Sequence, residues 1–573
     1  MSVIGTAAAS SGRYLRALLP SWQDYRDVKR TWRGDIVAGL TVGIIALPLA
    51  LAFGVSSGAG AESGLITAIV AGVIAAVFGG SNIQVSGPTG AMVVVLGPVV
   101  AAHGVGVVAV LSLMAGLIVI AAGALKLGRA VSFIPWPVIE GFTLGIAVII
   151  FLQQVPAAIG SKAGPSSNAF MAAVQSFETV DWSTVIIPVA MVLVVAAIML
   201  LAPLVHKKLP GSIVAIIVVT VIANLANLPL ARIGELPSSL PSPMLPQLDP
   251  GQLGSLVGPA LTIAALAAIE SLLSARVAVT LSDTGPYDAD RELVGQGLAS
   301  IASGFFGGMP ATGAIARTAV NIRSGGRTRL AAIVHSIVLI GVVYLATGVV
   351  SQIPLAALSG VLMMTAARMI SIATVRSIIG STGSDATVFI ITALVTVSVD
   401  LIVAVGIGIA VAAFFALRSV SASSGVHREE LPGEPAPGDE RIALFRLDGA
   451  LFFGAAERML ERVNQTSHIT VVIIRMSQLQ ILDATGARVI TEMIQALERR
   501  GITVLVKGIQ PRHLKLVTRV GVITSLRHRN HLFTDLDAAI EHARSHVTRA
   551  ATAGGGADAG DFGWTSAIRL PRD

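Results

Sequence analysis

Two stretches far apart in the chain carry the same unusual residues: Phe78-Gly79-Gly80 followed by Gly87-Pro88-Thr89-Gly90-Ala91, and Phe306-Gly307-Gly308 followed by Pro310-Ala311-Thr312-Gly313-Ala314. Each sits inside a long apolar region. Glycine and proline there free backbone groups from helical pairing, and in hydrocarbon such groups persist only where they are buried in protein or line a polar cavity. The chemistry this pattern offers is non-covalent capture of an anion. Two short half-helices would aim their N-terminal amides, the positive ends of the helix dipoles, at one site near the membrane midplane. The expected donors are the amides of Thr89, Gly90 and Ala91 on one side and of Thr312, Gly313 and Ala314 on the other, with the threonine hydroxyls adding to them. Close helix packing would explain the glycines alone, but not the proline and threonine beside them.

Glu270 lies midway along the apolar run Ala264 to Leu273, where a carboxylate is costly unless it has a function or a partner. It can take up a coupling proton, or it can help ligate Na+ together with Ser274, one turn away on the same helix face. The plain alternative is an ion pair with Arg276 or Arg317. Arg317 follows the second break by one turn and stays charged, so it either raises the potential for an anion or bridges to Glu270. Phe53, with Pro48 and Ala52, is expected to wall the site from the first crossing, unless Pro48 merely kinks it.

These residues need a membrane-spanning frame, and composition supplies one. The 573 residues are 54% hydrophobic and 13% charged, with a mean hydropathy of +0.79. Apolar stretches from Ile36 to Leu417 make about fourteen crossings, two of them too short to be full spans, which implies an α-helical polytopic protein in a seven-plus-seven inverted repeat. Basic residues test the count. With the arm Arg13, Arg16, Arg26, Lys29, Arg30 and Arg33 in the cytoplasm, Lys126, Arg129, Lys207, Lys208, Arg291, Arg323, Arg327, Arg329 and Arg376 all fall in even-numbered connections. That puts both termini in the cytoplasm of a multi-pass protein of the cell inner membrane. Pro135 and Pro137 around Trp136 read as an interfacial anchor.

The expected organisation is a cytoplasmic arm over 1–33, a transport domain over 34–420 and a Pro/Gly/acidic linker over 421–440. A soluble α/β domain then occupies 441–549, before a disordered tail over 550–573. In the soluble domain, strands are predicted at Arg441 to Leu447, Leu451-Phe452-Phe453, Ile469 to Met476 and Ile502 to Lys507, with helices at Ala455 to Val463 and Thr485 to Arg499.

The runs Arg33-Gly34-Asp35-Ile36, Ala46-Leu47-Pro48-Leu49-Ala50-Leu51-Ala52-Phe53-Gly54, Ser86-Gly87-Pro88-Thr89-Gly90, Ala268-Ile269-Glu270-Ser271-Leu272-Leu273 and Glu292-Leu293-Val294-Gly295-Gln296-Gly297 resemble the SulP family of inorganic anion transporters. The soluble part is similar to a STAS domain, with its signature loop at Asp483-Ala484-Thr485-Gly486. The resemblance covers nearly the whole chain. It implies a core domain holding the anion, a gate domain against which it moves, and a homodimer. It also implies a substrate among sulfate, bicarbonate, halides and dicarboxylates. An arginine recurs in these relatives at the position of Arg317. The sodium-coupled bicarbonate branch would carry Asp at the position of Glu270, so Glu leaves proton coupling open. STAS relatives are phosphorylated at the residue after the loop Asp; Ala484 stands there, which leaves packing, dimer contacts or a regulator as the domain's roles.

Other classes fit less well. The net charge of +7 is spread over span ends rather than gathered in a patch, which excludes nucleic acid as a partner. No Gly-Lys-Ser/Thr phosphate loop is present for an ATP-driven pump. The histidines look scattered, without the spacing of a metal-dependent enzyme, and no cofactor is expected beyond Na+ as a coupling ion. The expectation is therefore a secondary transporter of sulfate or bicarbonate coupled to H+ or Na+. An anion exchanger, a channel-like pathway, a nucleobase transporter and an anion sensor signalling through the STAS domain are the alternatives.

Overall fold

A computed structural model describes residues 14, 16 and 18–553, apart from 130–133, 165, 167, 207–209, 237–238, 247–249, 400, 424 and 452–467. The chain divides into two units, Met1–Ala412 and Ala413–Asp573. Fourteen helices match the expected crossings. They are α1 Val28–Ser56, α2 Ala61–Phe78, α3 Gly90–His103, α4 Val107–Ala124, α5 Trp136–Ala158, α6 Ile186–Val205 and α7 Gly211–Leu225, followed by α8 Pro250–Leu281, α9 Ala289–Phe305, α10 Ile315–Arg323, α11 Arg329–Leu345, α12 Leu355–Met369, α13 Gly383–Ser398 and α14 Leu401–Ser423. Seven helical segments among the described residues have the length and apolarity to cross a bilayer, and five more are apolar but shorter. Two short helices, Ala169–Ser176 and Ile372–Ile379, occupy connections that the apolar pattern leaves blank; each starts at a capping side chain, Asn168 or Ser371.

The two breaks meet. Strand β1, Ser86–Gly87, pairs antiparallel with β2, Thr312–Gly313, in the register Ser86 to Gly313 and Gly87 to Thr312. Each strand feeds a short helix: α3 has 14 residues and α10 only nine, well below the roughly 20 needed to span a bilayer. The ladder gives the freed backbone groups partners inside the protein, as hydrocarbon demands.

Buried charges clamp the ends of these elements. Asp35 is fully buried and accepts from the amides of Arg327 (2.7 Å) and Thr328 (3.0 Å) and from the hydroxyls of Thr31 and Thr328, so the first crossing caps α11. Glu292 accepts from the amides of Gly80 (2.8 Å) and Ser81 (3.0 Å) and from Gln296 Nε2 (2.9 Å), while Gln296 also donates to Ser86 Oγ (2.5 Å). Arg329 donates to the carbonyls of Ala76 (2.9 Å) and Gly79 (2.7 Å) at the end of α2. Arg291 makes a two-point contact with Asp24 (3.1 and 2.7 Å). Two of the basic residues that mark connections by sequence are thus interior: Arg291 is 8% and Arg329 2% exposed. They serve the open carbonyls at the end of α2 and the N-terminal arm as well as any topological bias. Arg13, Lys207 and Lys208 lie outside the described residues.

Glycine sets the spacing of the helices around this frame. A Cβ on Gly295 of α9 would stand 2.5 Å from Gly79 Cα, and one on Gly116 of α4 would stand 2.7 Å from the Gly297 carbonyl oxygen. Hydrocarbon provides no hydrophobic drive between helices, so this close approach is what lets α9 seat against α2 and α4.

The second unit carries a sheet in the order β3-β4-β5-β7-β8, with β6 also paired to β4. The strands are β3 Gly425–Glu429, β4 Ile442–Leu451, β5 Val471–Arg475, β6 Leu479–Leu482, β7 Thr503–Lys507 and β8 Leu532–Phe533. Among the described strands only β3 runs antiparallel to its neighbour. Helices α15 Ala484–Arg499, α16 Pro511–Val520 and α17 Leu536–Ala553 complete it. Alternate residues of β4, β5 and β7 enter two separate apolar clusters, as a sheet covered on both faces requires. Asp483 caps α15 by accepting from the Gly486 amide at 2.7 Å, and Ala484 takes the first helical position.

The linker expected over 421–440 is corrected: α14 continues to Ser423, and residues 425–429 form the edge strand β3. Its ladder partner β4 lies beyond the Pro/Gly run, so no local pattern announces it. The predicted helix Ala455 to Val463, the Phe452-Phe453 end of a predicted strand and the tail from 554 onward lie outside the described residues.

Candidate functional site

The half-helix tips, the middle of α8 and facing side chains of α1, α5 and α12 enclose a cavity of about 480 Å3. Of the twelve residues placed at the site by sequence, Phe53, Thr89, Gly90, Ala91, Glu270, Ala314 and Arg317 line it. Pro48, Ala52, Thr312, Gly313 and Ser274 do not.

On the first break, α3 starts at Gly90, and Val93 is the first amide to find a carbonyl, that of Thr89. The amides of Gly90, Ala91 and Met92 belong to the unpaired first turn of a helix and carry its dipole. A Cβ on Gly90 would strike the tip of Ile150 and stand 3.5 Å from Phe53 Cε1, so glycine keeps the tip open between these side chains. Thr89 turns its hydroxyl to Glu270, donating to Oε2 at 2.8 Å.

The second break differs from expectation. Gly313 spends its amide on Ser271 Oγ (3.0 Å), Ala314 donates its own to the Val85 carbonyl (2.8 Å), and the Thr312 hydroxyl lies 2.9 Å from that of Ser271. Pairing with the first break and with Ser271 of α8 has already taken up the donors expected there. Helix α10 therefore begins later, with Thr318 bonded to the Ala314 carbonyl, and its free first-turn amides are those of Ile315, Ala316 and Arg317. The sequence pattern locates the break but misplaces the open amides by three residues, because backbone pairing across the break is a long-range event.

Arg317 is 3% exposed; its Nη2 donates to the Pro88 carbonyl at 2.5 Å, and Nη1 has no hydrogen-bond partner among the described residues. A Cβ on Gly87 would stand 2.7 Å from Nη1, so that glycine makes room for the guanidinium. No ion pair joins Glu270 to Arg317 or Arg276 among the described residues, and the structural alternative considered for Glu270 is not the arrangement found. Ser274, expected beside Glu270 as a Na+ ligand, is fully buried and does not line the cavity; its hydroxyl sits 3.2 Å from Thr318 Oγ1.

Thr143 on α5 and Thr365 and Arg368 on α12 also line the cavity, with Arg368 Nη2 donating to the Met199 carbonyl at 2.5 Å. Sequence reasoning missed these three. Arg368 closes an apolar run and looks like any span-end cation. The site thus offers two helix N-termini, a guanidinium with a free donor, a carboxylate held by one hydroxyl, and apolar walls. It can desolvate and hold a small anion, and it can bind a proton beside it.

Residues 32–392 match the sulfate permease family and residues 435–539 the STAS domain. The putative sulfate transporter YvdB of Bacillus subtilis is 32% identical over 521 residues, covering 88% of this chain and 96% of its own. The bicarbonate transporter BicA of a Picosynechococcus strain is 33% identical over 493 residues, covering 81% of this chain and 87% of its own. The solved structure of the murine Slc26a9 anion transporter in the inward-facing state aligns with a TM-score of 0.78 over 93% of this chain and 95% of that one; at 17% identity this is a likeness of fold.

Proposed function

The chain belongs to the sulfate permease family, transporters rather than enzymes, and on that premise we propose that it is a secondary active transporter of a small inorganic oxyanion, sulfate or bicarbonate. The observation that carries this reading is the convergence of the α3 and α10 N-termini on one cavity beside Arg317. First-turn amides and a guanidinium recognise oxyanions without covalent chemistry.

Glu270 is the coupling group in this proposal. Bound by a single Thr89 hydroxyl, it faces the anion site, and a proton on it removes a negative charge next to the incoming anion. Proton symport follows from that pairing. Na+ is the less fitting coupling ion, since Ser274 points elsewhere. Access alternates as the side of the site on α3, α8 and α10 moves against the facing walls from α5 and α12. A cytoplasmic N-terminus and STAS domain are supported by the charge asymmetry of the connections. A homodimer and a cytoplasmic regulator bound at the STAS domain belong to the same reading and are supported by family resemblance.

Reconstituted vesicles test it. Labelled sulfate or bicarbonate should accumulate under an inward proton gradient. Uptake that follows only a Na+ gradient would reassign the coupling ion, uptake driven by a counter-anion alone would make the protein an exchanger, and no flux above empty vesicles would leave an anion sensor.

A further inference from the structure

Three histidines that look scattered in sequence come together in the STAS domain. His531 ends the short turn Arg529–His531 that leads into β8, while His542 and His546 stand one turn apart on α17. One ligand atom from each lies within 4.8 Å of the other two. The Nε2 atoms of His542 and His546 are 3.2 Å apart. Two nitrogens held tetrahedrally at about 2.0–2.1 Å from Zn2+ are separated by about 3.3 Å, so the pair already has the spacing of two ligands. The His531 ring centroid lies 5.6 Å from that of His542 and 5.4 Å from that of His546.

A ring cluster held by packing and one imidazole hydrogen bond is the alternative to a metal site. It leaves one fact unexplained: His531 is 1% exposed, yet its Nδ1 has no hydrogen-bond partner among the described residues. An orphaned buried acceptor is expensive, and a bound cation would satisfy it. The charged neighbours are known. Arg527 pairs with Glu498 at 3.1 Å, Arg549 donates to the Ser545 carbonyl at 3.2 Å, and His528 packs edge-on to His531 with ring centroids 5.4 Å apart.

We propose that His531, His542 and His546 form a binding site for a borderline transition-metal cation, Zn2+ or a chemical neighbour such as Co2+ or Ni2+. The three-nitrogen ligand set, without carboxylates, suits these ions and not Mg2+ or Ca2+. The fourth position is left to water or a small anion. Bound metal ties the C-terminal helix α17 to the turn before β8 and so braces one edge of the sheet.

The test uses the full-length protein in detergent with any affinity tag removed, titrated with Co2+ alone. One equivalent should bind per chain with the intense visible absorption of four-coordinate cobalt, and Zn2+ should displace it. His542→Gln and His546→Gln, placed on half-buried helix positions, should each weaken binding by more than about 100-fold, beyond the 10–100-fold cost of losing an outer-shell contact, while size and circular dichroism stay unchanged. His103→Gln, in the other unit, should bind as the parent does. Absence of the visible band, or binding unchanged in the His542→Gln/His546→Gln double variant, overturns the site and leaves a packed histidine cluster.

Discussion

The two broken crossings share their spelling but not their work. At the first, Thr89 reaches Glu270 and the amides of Gly90 and Ala91 stay open to the cavity. At the second, Thr312, Gly313 and Ala314 are bound to Ser271, Ser271 and Val85, and the helix opens onto the cavity only from Ile315. One break leaves its helix-start amides open to the cavity at once; the other first joins the scaffold and opens onto the cavity only where its helix begins. Glycine and proline therefore say that a helix is interrupted, and the residues opposite the interruption decide which of its amides remain free.

That asymmetry can be attacked directly. Glu270→Gln strikes the point where the first break meets α8, and carries the largest expected effect: uptake driven by a proton gradient falls by at least about 100-fold while the purified protein still binds the anion. Retained gradient dependence would make Glu270 structural and remove the contrast between the breaks. Next come Gly90→Val and Gly313→Val as a pair. At Gly90 the new side chain meets the flexible tip of Ile150, so the protein folds but its anion affinity drops about tenfold or more. At Gly313 it meets Gln84 and, at 3.1 Å, Ser271 Cα, so little folded protein is recovered. Equal behaviour of the two variants in expression and binding would erase the distinction.

Ser271→Ala should have a smaller effect of a different kind. It leaves the Gly313 amide without its acceptor, at a cost of about 1–3 kcal/mol in stability, while anion affinity changes less than threefold. A large loss of affinity with stability intact would mean that the second break also touches the anion. The smallest effect is expected in the STAS domain, in the chain's other unit. Its histidines are held below the ordinary imidazole range, His531 to about 3 and His546 to about 4, chiefly by burial. The unfolded chain then binds protons that the folded domain refuses, so the histidines' contribution to STAS stability is full above about pH 7 and is lost as pH falls from about 6.5 toward 3. Thermal melting of metal-free protein should follow that curve, and His546→Gln should flatten it.

Much of this was legible because hydrocarbon is an unforgiving solvent. A carboxylate in the middle of an apolar run, or a proline and two glycines inside a crossing, has few inexpensive explanations, and Glu270 and both breaks stood out for that reason. Phe53 was readable from its place in a family motif. The open amides of Ile315 and Ala316 were not, since they depend on a two-residue ladder between segments over two hundred positions apart. Nor were Thr143, Thr365 and Arg368, because an apolar helix does not announce which face looks at lipid and which at a cavity. In the soluble domain α15 and the strands β4, β5 and β7 followed from their hydrophobic periods, while β3, β6, β8 and the histidine cluster arose from tertiary pairing that no local window contains.

The central claim is the location of the anion, and a cryo-electron microscopy map at saturating concentration of whichever anion is taken up tests it most directly. The account predicts density within about 3 Å of the amides of Gly90 and Ala91 on one side and of Ile315 and Ala316 on the other, beside the free Nη1 of Arg317. Density elsewhere, or an anion held by side chains with both helix tips pointing away from it, would contradict the account.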